Sequence, residues 1–287
     1  MKPHLFCFGL GYSATYLARQ LIAKGWQVTG TCRSRDHQIE LSRLGIEAHL
    51  FDRDHRIGSL PELLSRATHL LSSVPPDEKG DPVLDMHRTE IDAAAPRLAW
   101  IGYLSTTGVY GNRDGGWVDE MSELAPTGER GRRRVAAERG WLALSQPAHL
   151  FRLAGIYGPG SSALDTVREG RAKRIVKPGQ IFSRIHVADI AQVLEASMAR
   201  PHPGAAYNVC DDDPAPPSDV IAFAAALLNR PSPPEIPIEQ AELSPMARSF
   251  YDDNKRVSNS RIKRELGVAL HYPSYRVGLP AILGAGG

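Results

Sequence analysis

The chain has 287 residues, 42% of them hydrophobic, which allows a large buried core in one large domain or two unequal ones. Its 34 basic and 32 acidic residues leave a net charge of +2, without the one-sided excess expected of a nucleic-acid binder. We therefore expect a small-molecule partner and no nucleic acid.

The cysteines Cys7, Cys32 and Cys210 lie far apart and lack CxxC spacing, which predicts reduced thiols. The first residues lack the continuous apolar segment of a signal peptide, and no stretch approaches the roughly 20 apolar residues needed to cross a bilayer. We expect a cytoplasmic protein with no membrane partner.

Short apolar runs alternate with segments of helical spacing up to about residue 155. The predicted strands, in chain order, are Leu5–Phe8, Trp26–Cys32, Ala48–Phe51, His69–Val74, Trp100–Leu104 and Ala148–Leu153. Helices are predicted with apolar positions from Ala14 to Ile22, between the second and third strands, over Val83–Pro96 and over Val135–Leu144. Such alternation indicates a doubly wound parallel sheet with helices on both faces. Beyond residue 155 it fails, and prolines accumulate from Pro201 to Pro237, which indicates a smaller, loop-rich lobe.

A glycine-rich turn follows the first predicted strand, in the order Gly9, Leu10, Gly11, Tyr12, Ser13, Ala14. In a strand-turn-helix unit, Gly9 permits the tight turn, Gly11 lets the backbone approach a pyrophosphate, and Ala14 keeps the helix close to the sheet. Glycine turns also close ordinary strand-helix units, but the position after the first strand favours a Rossmann-type dinucleotide site. Tyr12 and Ser13 join the predicted cofactor-binding residues because the helix N-terminus faces the phosphates.

The end of the second strand indicates which dinucleotide binds. An NAD site places Asp or Glu there for the ribose diol, whereas this chain has Arg33 followed by Ser34, which favours the 2′-phosphate of NADP. The alternative is that Arg33 and Arg35 are solvated loop charges, and NAD stays open as the cofactor. Asp52, after the third strand, either accepts a hydrogen bond from adenine or caps a turn. Ser73, at the end of the fourth strand, completes this set.

Five ordered segments carry a family resemblance: Ser105–Gly111 (STTGVYG), Phe151–Gly160 (FRLAGIYGPG), Arg184–Asp189 (RIHVAD), Tyr207–Val209 (YNV) and Leu266–Gly267. In these segments the chain resembles the extended, epimerase/dehydratase-like branch of the short-chain dehydrogenase/reductases and, within it, the YeeZ-like group. The resemblance implies a seven-stranded parallel sheet that carries the cofactor and a C-terminal lobe that closes over the substrate. It also places Ile156 beside the nicotinamide and implies a homodimer as one possible assembly.

Together these patterns predict a Rossmann domain over residues 1–157, with residues 181–200 returning to it. The smaller substrate-binding lobe is predicted over residues 158–180 and 201–287.

Members of this branch normally carry a Tyr-x-x-x-Lys helix, in which lysine lowers the pKa of the tyrosine so that the phenolate exchanges a proton as hydride moves. Aligned by its Ala-Ala-Glu end, the matching segment has Arg130 where the tyrosine belongs and Arg134 where the lysine belongs. Arginine keeps its proton, so Arg130 cannot act as an ordinary general base. Arg134 could donate to the nicotinamide ribose and Arg130 could bind a carboxylate or phosphate, which makes an anionic substrate plausible. The alternative is a solvated helix face.

Two further positions are candidates for catalysis. Thr106 occupies the family's Ser/Thr position and would hydrogen-bond a substrate oxygen, or it caps the end of its strand. Tyr110 could substitute as a proton donor, although in the family this tyrosine mainly packs. His186 and Asp189 resemble a structural pair, and no metal ligands stand at the required spacing, so we predict no metal.

The sequence supports three interpretations. The first is an NADP-dependent oxidoreductase or epimerase without the usual Tyr-Lys pair. The second is a catalytically silent dinucleotide-binding or redox-sensing protein. The third is a structural scaffold without cofactor, against which Gly9, Gly11 and Ala14 argue. Serine-hydrolase and P-loop motifs are absent from the sequence.

Overall fold

The fold was obtained as a computed structural model that describes residues 2–285, with the side chains of residues 245 and 246 excepted. The strands are β1 (His4–Phe8), β2 (Gln27–Cys32), β3 (Glu47–Leu50), β4 (His69–Ser72), β5 (Trp100–Thr106), β6 (Trp117–Val118), β7 (His149–Leu153), β8 (Gly155–Tyr157), β9 (Arg174–Val176), β10 (Arg184–His186), β11 (Ala206–Val209), β12 (Glu235–Pro237) and β13 (Arg256–Val257). The helices are α1 (Tyr12–Ala23), α2 (Arg35–Arg43), α3 (Leu60–Arg66), α4 (Pro82–Ala94), α5 (Glu129–Leu142), α6 (Ala163–Arg168), α7 (Val187–Ala199), α8 (Pro217–Leu227), α9 (Pro245–Asp252), α10 (Ser260–Leu266) and α11 (Tyr275–Ala285).

The chain divides into two compact units. The first unit comprises Met1–Thr106, Arg132–Arg152 and Ile190–Tyr207. The second unit comprises Thr107–Gly131, Leu153–Asp189 and Asn208–Gly287. Each unit therefore consists of three separate stretches of sequence.

The first unit is built on a parallel sheet. Within residues 2–285 its seven strands lie in the order β3-β2-β1-β4-β5-β7-β11. All side chains of β1 are buried, as expected for a strand covered by helices on both faces. The chain proceeds from β1 outward through β2 and β3, then restarts at β4 on the other side, so strand order reverses between β1 and β4. Ligands of such sheets bind outside the carboxyl ends of the strands at this reversal.

The register brings the carboxyl ends of the central strands together. Phe8 of β1 pairs with Ser72 of β4, and Ser72 pairs with Tyr103 of β5. The residues that follow these strands, including Gly9 and Ser73, therefore lie along one edge of the sheet. That edge is where the predicted cofactor-binding residues of the first unit are found.

The second unit is made of short pieces. Strand β8 pairs in parallel with β10, β9 with β12, and β6 with β13. Helices α6, α8 and α11 pack around a separate apolar cluster that includes Tyr157, Leu164, Ala224, Tyr275 and Leu279. Side-chain packing, rather than one continuous sheet, organises this unit.

The sequence analysis predicts the fold class correctly, and each predicted strand overlaps an observed one. Three expectations differ from the structure. The return to the first unit, expected over residues 181–200, is observed over Ile190–Tyr207, and it consists of most of helix α7 (Val187–Ala199) and the start of the seventh strand, Ala206–Val209. The units also divide at Thr106 and Arg152 rather than at residue 157, and Thr107–Gly131 lies in the second unit. Helix α3 is an element that the sequence analysis does not predict.

Candidate functional site

The turn after β1 has the backbone conformation that its glycines permit. Gly9 has φ +82°, and a Cβ atom there would lie 2.9 Å from Cγ2 of Val74, which follows β4. The Gly9 amide donates to Oγ1 of Thr31 at 2.8 Å, and the Leu10 amide donates to the Thr31 carbonyl at 2.7 Å. The turn is therefore held between β2 and β4, with no room for a side chain at Gly9.

Gly11 and the start of α1 form an open surface at a helix N-terminus. A Cβ atom at Gly11 would meet nothing within 4 Å, and the first turn of α1 has neither a side-chain cap nor an acidic residue. Ser13 and Ala14 are buried in that turn, whereas Tyr12 is exposed. A helix N-terminus of this kind presents backbone amides and the positive end of the helix dipole. The residues present therefore fit a pyrophosphate, as the sequence analysis predicts.

Arg33, Ser34 and Asp52 lie at the ends of the neighbouring strands. Arg33 is exposed between β2 and α2, where its charge can meet a ligand. The Ser34 hydroxyl accepts a hydrogen bond from the His37 amide at 3.3 Å and so caps α2. Asp52 Oδ1 accepts from the amides of Asp54 and His55 at 2.8 and 2.9 Å, and the His55 ring holds the pKa of Asp52 below its usual range. The turn-capping alternative for Asp52 is thus present in the structure, and an adenine contact remains a prediction.

The ends of β4 and β5 carry the other predicted residues of the first unit. Ser73 is half-buried, and its amide donates to the Phe8 carbonyl at 2.9 Å, which fixes the residue after β4 against β1. Thr106 is the last residue of β5 and is also half-buried. Both side chains therefore stand at the edge where the strand order reverses, in positions compatible with their predicted roles.

Arg134 binds β5. Its Nη1 donates to the Leu104 carbonyl at 2.7 Å and to the Tyr103 hydroxyl at 3.0 Å, and its guanidinium lies 5.7 Å from the centre of the Tyr103 ring. Nη1 is therefore occupied by β5, and a contact of this side chain with the nicotinamide ribose, as lysine makes, stays a prediction. The longer, forked guanidinium reaches the strand, which an ammonium on a shorter stem would not do in the same geometry.

A buried ionic network lies one turn further along α5. Arg152 of β7 donates from Nε and Nη2 to the two carboxylate oxygens of Glu138, at 3.2 and 2.9 Å, and the Ser105 hydroxyl donates to Glu138 Oε1 at 2.5 Å. Both charged side chains are almost fully buried, at 6% and 2% exposure. Sequence reasoning missed this network. The available signal was an arginine inside the apolar strand Ala148–Leu153.

Tyr110 is a packing residue of the second unit. It is fully buried, and its hydroxyl donates to Oδ1 of Asn208 at 2.7 Å. Asn208 also donates from its backbone amide to Glu120 and from its side chain to the Ser258 carbonyl. The expectation that Tyr110 is a substitute proton donor is not supported, because its hydroxyl is already bound inside this buried network.

Arg130 and Ile156 are exposed residues of the second unit. The Arg130 guanidinium lies 5.6 Å from the centre of the Phe250 ring, which is itself 53% exposed. This contact leaves the hydrogen-bonding edge of the guanidinium open to a ligand or to water, so both interpretations of Arg130 persist. Ile156 is 40% exposed on β8 and pairs with Ile185 of β10. Its predicted contact with a nicotinamide stays a prediction.

His186 and Asp189 are held by structural contacts. His186 Nδ1 accepts from the Ala188 amide at 3.2 Å, and Asp189 accepts from the amides of His271 and Tyr272 at 2.7 and 3.0 Å. Burial lowers the pKa of His186 to about 4. In the described part of the chain, no group of three His, Cys, Asp or Glu side chains is placed to hold a metal, and no helix is long and apolar enough to span a membrane.

A second buried carboxyl group, Asp211, follows β11. Its Oδ1 accepts from the Asp213 amide at 3.3 Å, and its own amide donates to the Arg184 carbonyl at 2.6 Å. Burial raises the pKa of Asp211 to about 8, against a weaker opposing effect of the Arg184 charge. Asp211 therefore holds its proton at neutral pH, a property that no sequence pattern indicates.

Several known proteins are similar to this chain in sequence or in fold. No known family profile matches the chain. Protein YeeZ of Escherichia coli K12 is 29% identical over 282 residues, which are 92% of this chain and 94% of YeeZ. A conserved protein of unknown function from Silicibacter pomeroyi is 53% identical, with a TM-score of 0.93 over 99% of both chains. A protein from Methylobacillus flagellatus, provisionally named an NAD-dependent epimerase/dehydratase, is 26% identical, with a TM-score of 0.76 over 99% of this chain and 98% of that one.

These likenesses extend over nearly the whole chain. The chain belongs to one family with the Silicibacter pomeroyi protein and is homologous to YeeZ, and its likeness to the Methylobacillus flagellatus protein is consistent with an atypical member of the epimerase/dehydratase-like short-chain dehydrogenase/reductases.

Proposed function

We propose that the first unit binds a nicotinamide dinucleotide along the carboxyl edge of its sheet, with NADP preferred over NAD. The observation that carries the proposal is the turn from Gly9 to Gly11. It is held between β2 and β4 and leads into an uncapped helix where the strand order reverses. The name of the Methylobacillus flagellatus relative, an NAD-dependent enzyme, supports the same class of ligand.

The strand order indicates in which direction the dinucleotide lies along the edge of the sheet. Arg33 lies after β2 on one side of the turn, whereas Ser73 and Thr106 lie after β4 and β5 on the other. The adenosine half therefore extends toward Arg33, and the nicotinamide half extends toward Thr106. Arg33 is exposed and can bind a 2′-phosphate bidentately, while β2 ends without the carboxylate that would hold a ribose diol.

The bound nicotinamide supplies a hydride donor or acceptor, and the reaction is an oxidation, reduction or epimerisation of a small anionic substrate. Thr106 hydrogen-bonds a substrate oxygen. In the second unit, the exposed Arg130 guanidinium is able to bind a carboxylate or phosphate bidentately. Neither side chain is a base, so proton exchange requires a different group or water.

A second candidate function is binding without catalysis. The observation in its favour is that the residues expected near a reaction centre have other partners. Arg134 donates to β5, and the Tyr110 hydroxyl is buried against Asn208. A dinucleotide sensor needs only the glycine turn and Arg33.

Calorimetric titration with NADPH and NADH tests the cofactor. We expect NADPH to bind more tightly, and Arg33→Ala to weaken NADPH about tenfold or more while leaving NADH unchanged, since a hydrogen bond to a charged group contributes about 1.5–3 kcal/mol. Arg35→Ala is the matched control, because this arginine is equally exposed two residues further on. Tighter binding of NADH, or equal losses in the two variants, contradicts the role of Arg33.

Turnover assays separate the enzyme from the sensor. Carbonyl, hydroxy-acid and nucleotide-sugar compounds are screened for absorbance change at the nicotinamide band, and active compounds are repeated with Thr106→Val. Activity that this change abolishes supports the enzyme, and activity that it leaves intact removes Thr106 from the mechanism. Tight NADPH binding without turnover across the anionic compounds favours the sensor.

A further inference from the structure

The ionic network in the first unit ends beside Thr106, the residue toward which the nicotinamide half is proposed to extend. Ser105 immediately precedes Thr106, and its hydroxyl binds Glu138, which in turn is held by two hydrogen bonds from Arg152. The network thus connects α5 and β7 to the carboxyl end of β5. All three side chains are buried.

Stability alone does not account for such a network. Moving two charges out of water costs free energy, and well-packed apolar side chains of similar size usually stabilise a core as well as a buried ion pair does. A hydrogen-bonded ion pair differs from apolar packing because it fixes direction and distance. Here the ion pair fixes one turn of α5 against the carboxyl end of β5.

A second hydrogen bond joins α5 to β5. Arg134 lies four residues before Glu138 on the same helix, and it donates to the carbonyl of Leu104, the residue before Ser105. Successive turns of α5 therefore bind successive residues of β5. Thr106 follows directly, so its position depends on how the helix holds the strand.

We propose that Glu138, oriented by Arg152, is a positioning residue that acts through Ser105 to place Thr106 against the nicotinamide half of the bound dinucleotide. The inference rests on the proposed function, because it needs a dinucleotide at the carboxyl edge of the sheet. Glu138 itself contacts neither substrate nor cofactor.

The test compares a whole dinucleotide with its adenosine half. Titrations of NADPH and of 2′,5′-ADP are made with wild type and with Ser105→Ala, which disconnects β5 from the ion pair but leaves the pair intact. We expect the Kd of 2′,5′-ADP to stay within about twofold and the Kd of NADPH to rise about fivefold, which corresponds to about 1 kcal/mol, the net contribution of one ordinary hydrogen bond. The fluorescence of bound NADPH shifts toward that of free NADPH.

The matched control is Ser197→Ala. The Ser197 hydroxyl accepts from the indole of Trp100 at 3.0 Å, so this variant also removes a buried serine hydrogen bond from β5, but at its amino end. Its NADPH affinity is expected to equal that of wild type. Ser105→Cys, which keeps the volume and lacks a strong donor, repeats the test if the alanine variant does not fold.

The outcomes are distinct. Unchanged affinity for both ligands in Ser105→Ala, or equal weakening of both, overturns the positioning role while leaving dinucleotide binding intact. Failure of the wild type to bind either ligand overturns the proposed function and the inference together. Selective loss of NADPH affinity in the Ser105 variants, without loss in Ser197→Ala, supports the positioning role.

Discussion

The two units differ in how their candidate residues are held. In the first unit, Gly9 and Gly11 act through backbone conformation inside a continuous parallel sheet, which strand order and register define. In the second unit, Tyr110 and Arg130 act through side chains whose partners come from distant segments. A sequence motif therefore predicts the surroundings of a residue more reliably when they depend on backbone conformation than when they depend on side-chain partners.

The largest effect is expected from the ion pair that joins the elements of the first unit. Arg152→Met leaves the buried Glu138 carboxylate without its cation, which should lower the free energy of unfolding by about 3–5 kcal/mol. Urea denaturation measures this change. Arg66→Met, which breaks an exposed pair with Glu47, should cost less than about 1 kcal/mol. Equal costs in the two variants would show that the network does not hold the sheet.

The next prediction separates backbone strain from ligand binding. Gly9 and Gly25 both have φ +82°, so alanine at either position should cost about 1–2 kcal/mol of stability. Only at Gly9 would the added Cβ meet a neighbour, Val74, and adjoin the proposed phosphate site. We expect Gly9→Ala to weaken NADPH about tenfold or more and Gly25→Ala to leave the Kd unchanged. Equal affinities in the two variants contradict the site.

A pH experiment probes the second unit. The pKa of Asp211 is about 8 in the folded protein and about 4 when unfolded, so the folded state holds the extra proton between these values. Stability should therefore fall as pH rises toward 8, by up to about 1.4 kcal/mol per pH unit from this group. Asp211→Asn removes this slope. Thermal unfolding of wild type and variant between pH 6.5 and 8 measures this slope. Parallel plots of stability against pH for the two proteins would contradict a buried proton on Asp211.

The smallest effect concerns Tyr110. Tyr110→Phe removes the hydrogen bond to Asn208 and should cost about 1–2 kcal/mol, with NADPH affinity and turnover unchanged. The measurements are thermal unfolding, calorimetry and the turnover assay. A large loss of turnover in a variant as stable as wild type would return Tyr110 to the reaction and weaken the contrast between the units.

Much of the first unit could be predicted because its signals are local. The strands are short apolar runs, and the turn at Gly9 needs only neighbouring residues to be interpreted. The seventh strand, Ala206–Val209, is not predicted because it lies in a proline-rich segment, beyond the point where the regular alternation ends. The motif Arg184–Asp189 indicates a return to the first unit, which the chain makes through helix α7 from Ile190 onward.

The contacts of α5 could not be predicted from the sequence. Spacing on a helix shows that Arg134 and Glu138 share a face, but it does not show which strand that face meets. The partners of these residues, Leu104, Ser105 and Arg152, lie on β5 and β7, and only the folded chain brings them together. Arg134, interpreted from the sequence as a substitute for the cofactor-binding lysine, donates a hydrogen bond to a backbone carbonyl of β5.

The division of the first unit into three stretches has a consequence for synthesis. Its sheet cannot be completed until β11 has left the ribosome, some fifty residues after β7. Until then β7 presents an unpaired edge, the kind of surface that promotes aggregation. We therefore expect the yield of folded protein to depend mainly on chain release, temperature and chaperone supply while these residues are being synthesised. The stability of the finished sheet should matter less.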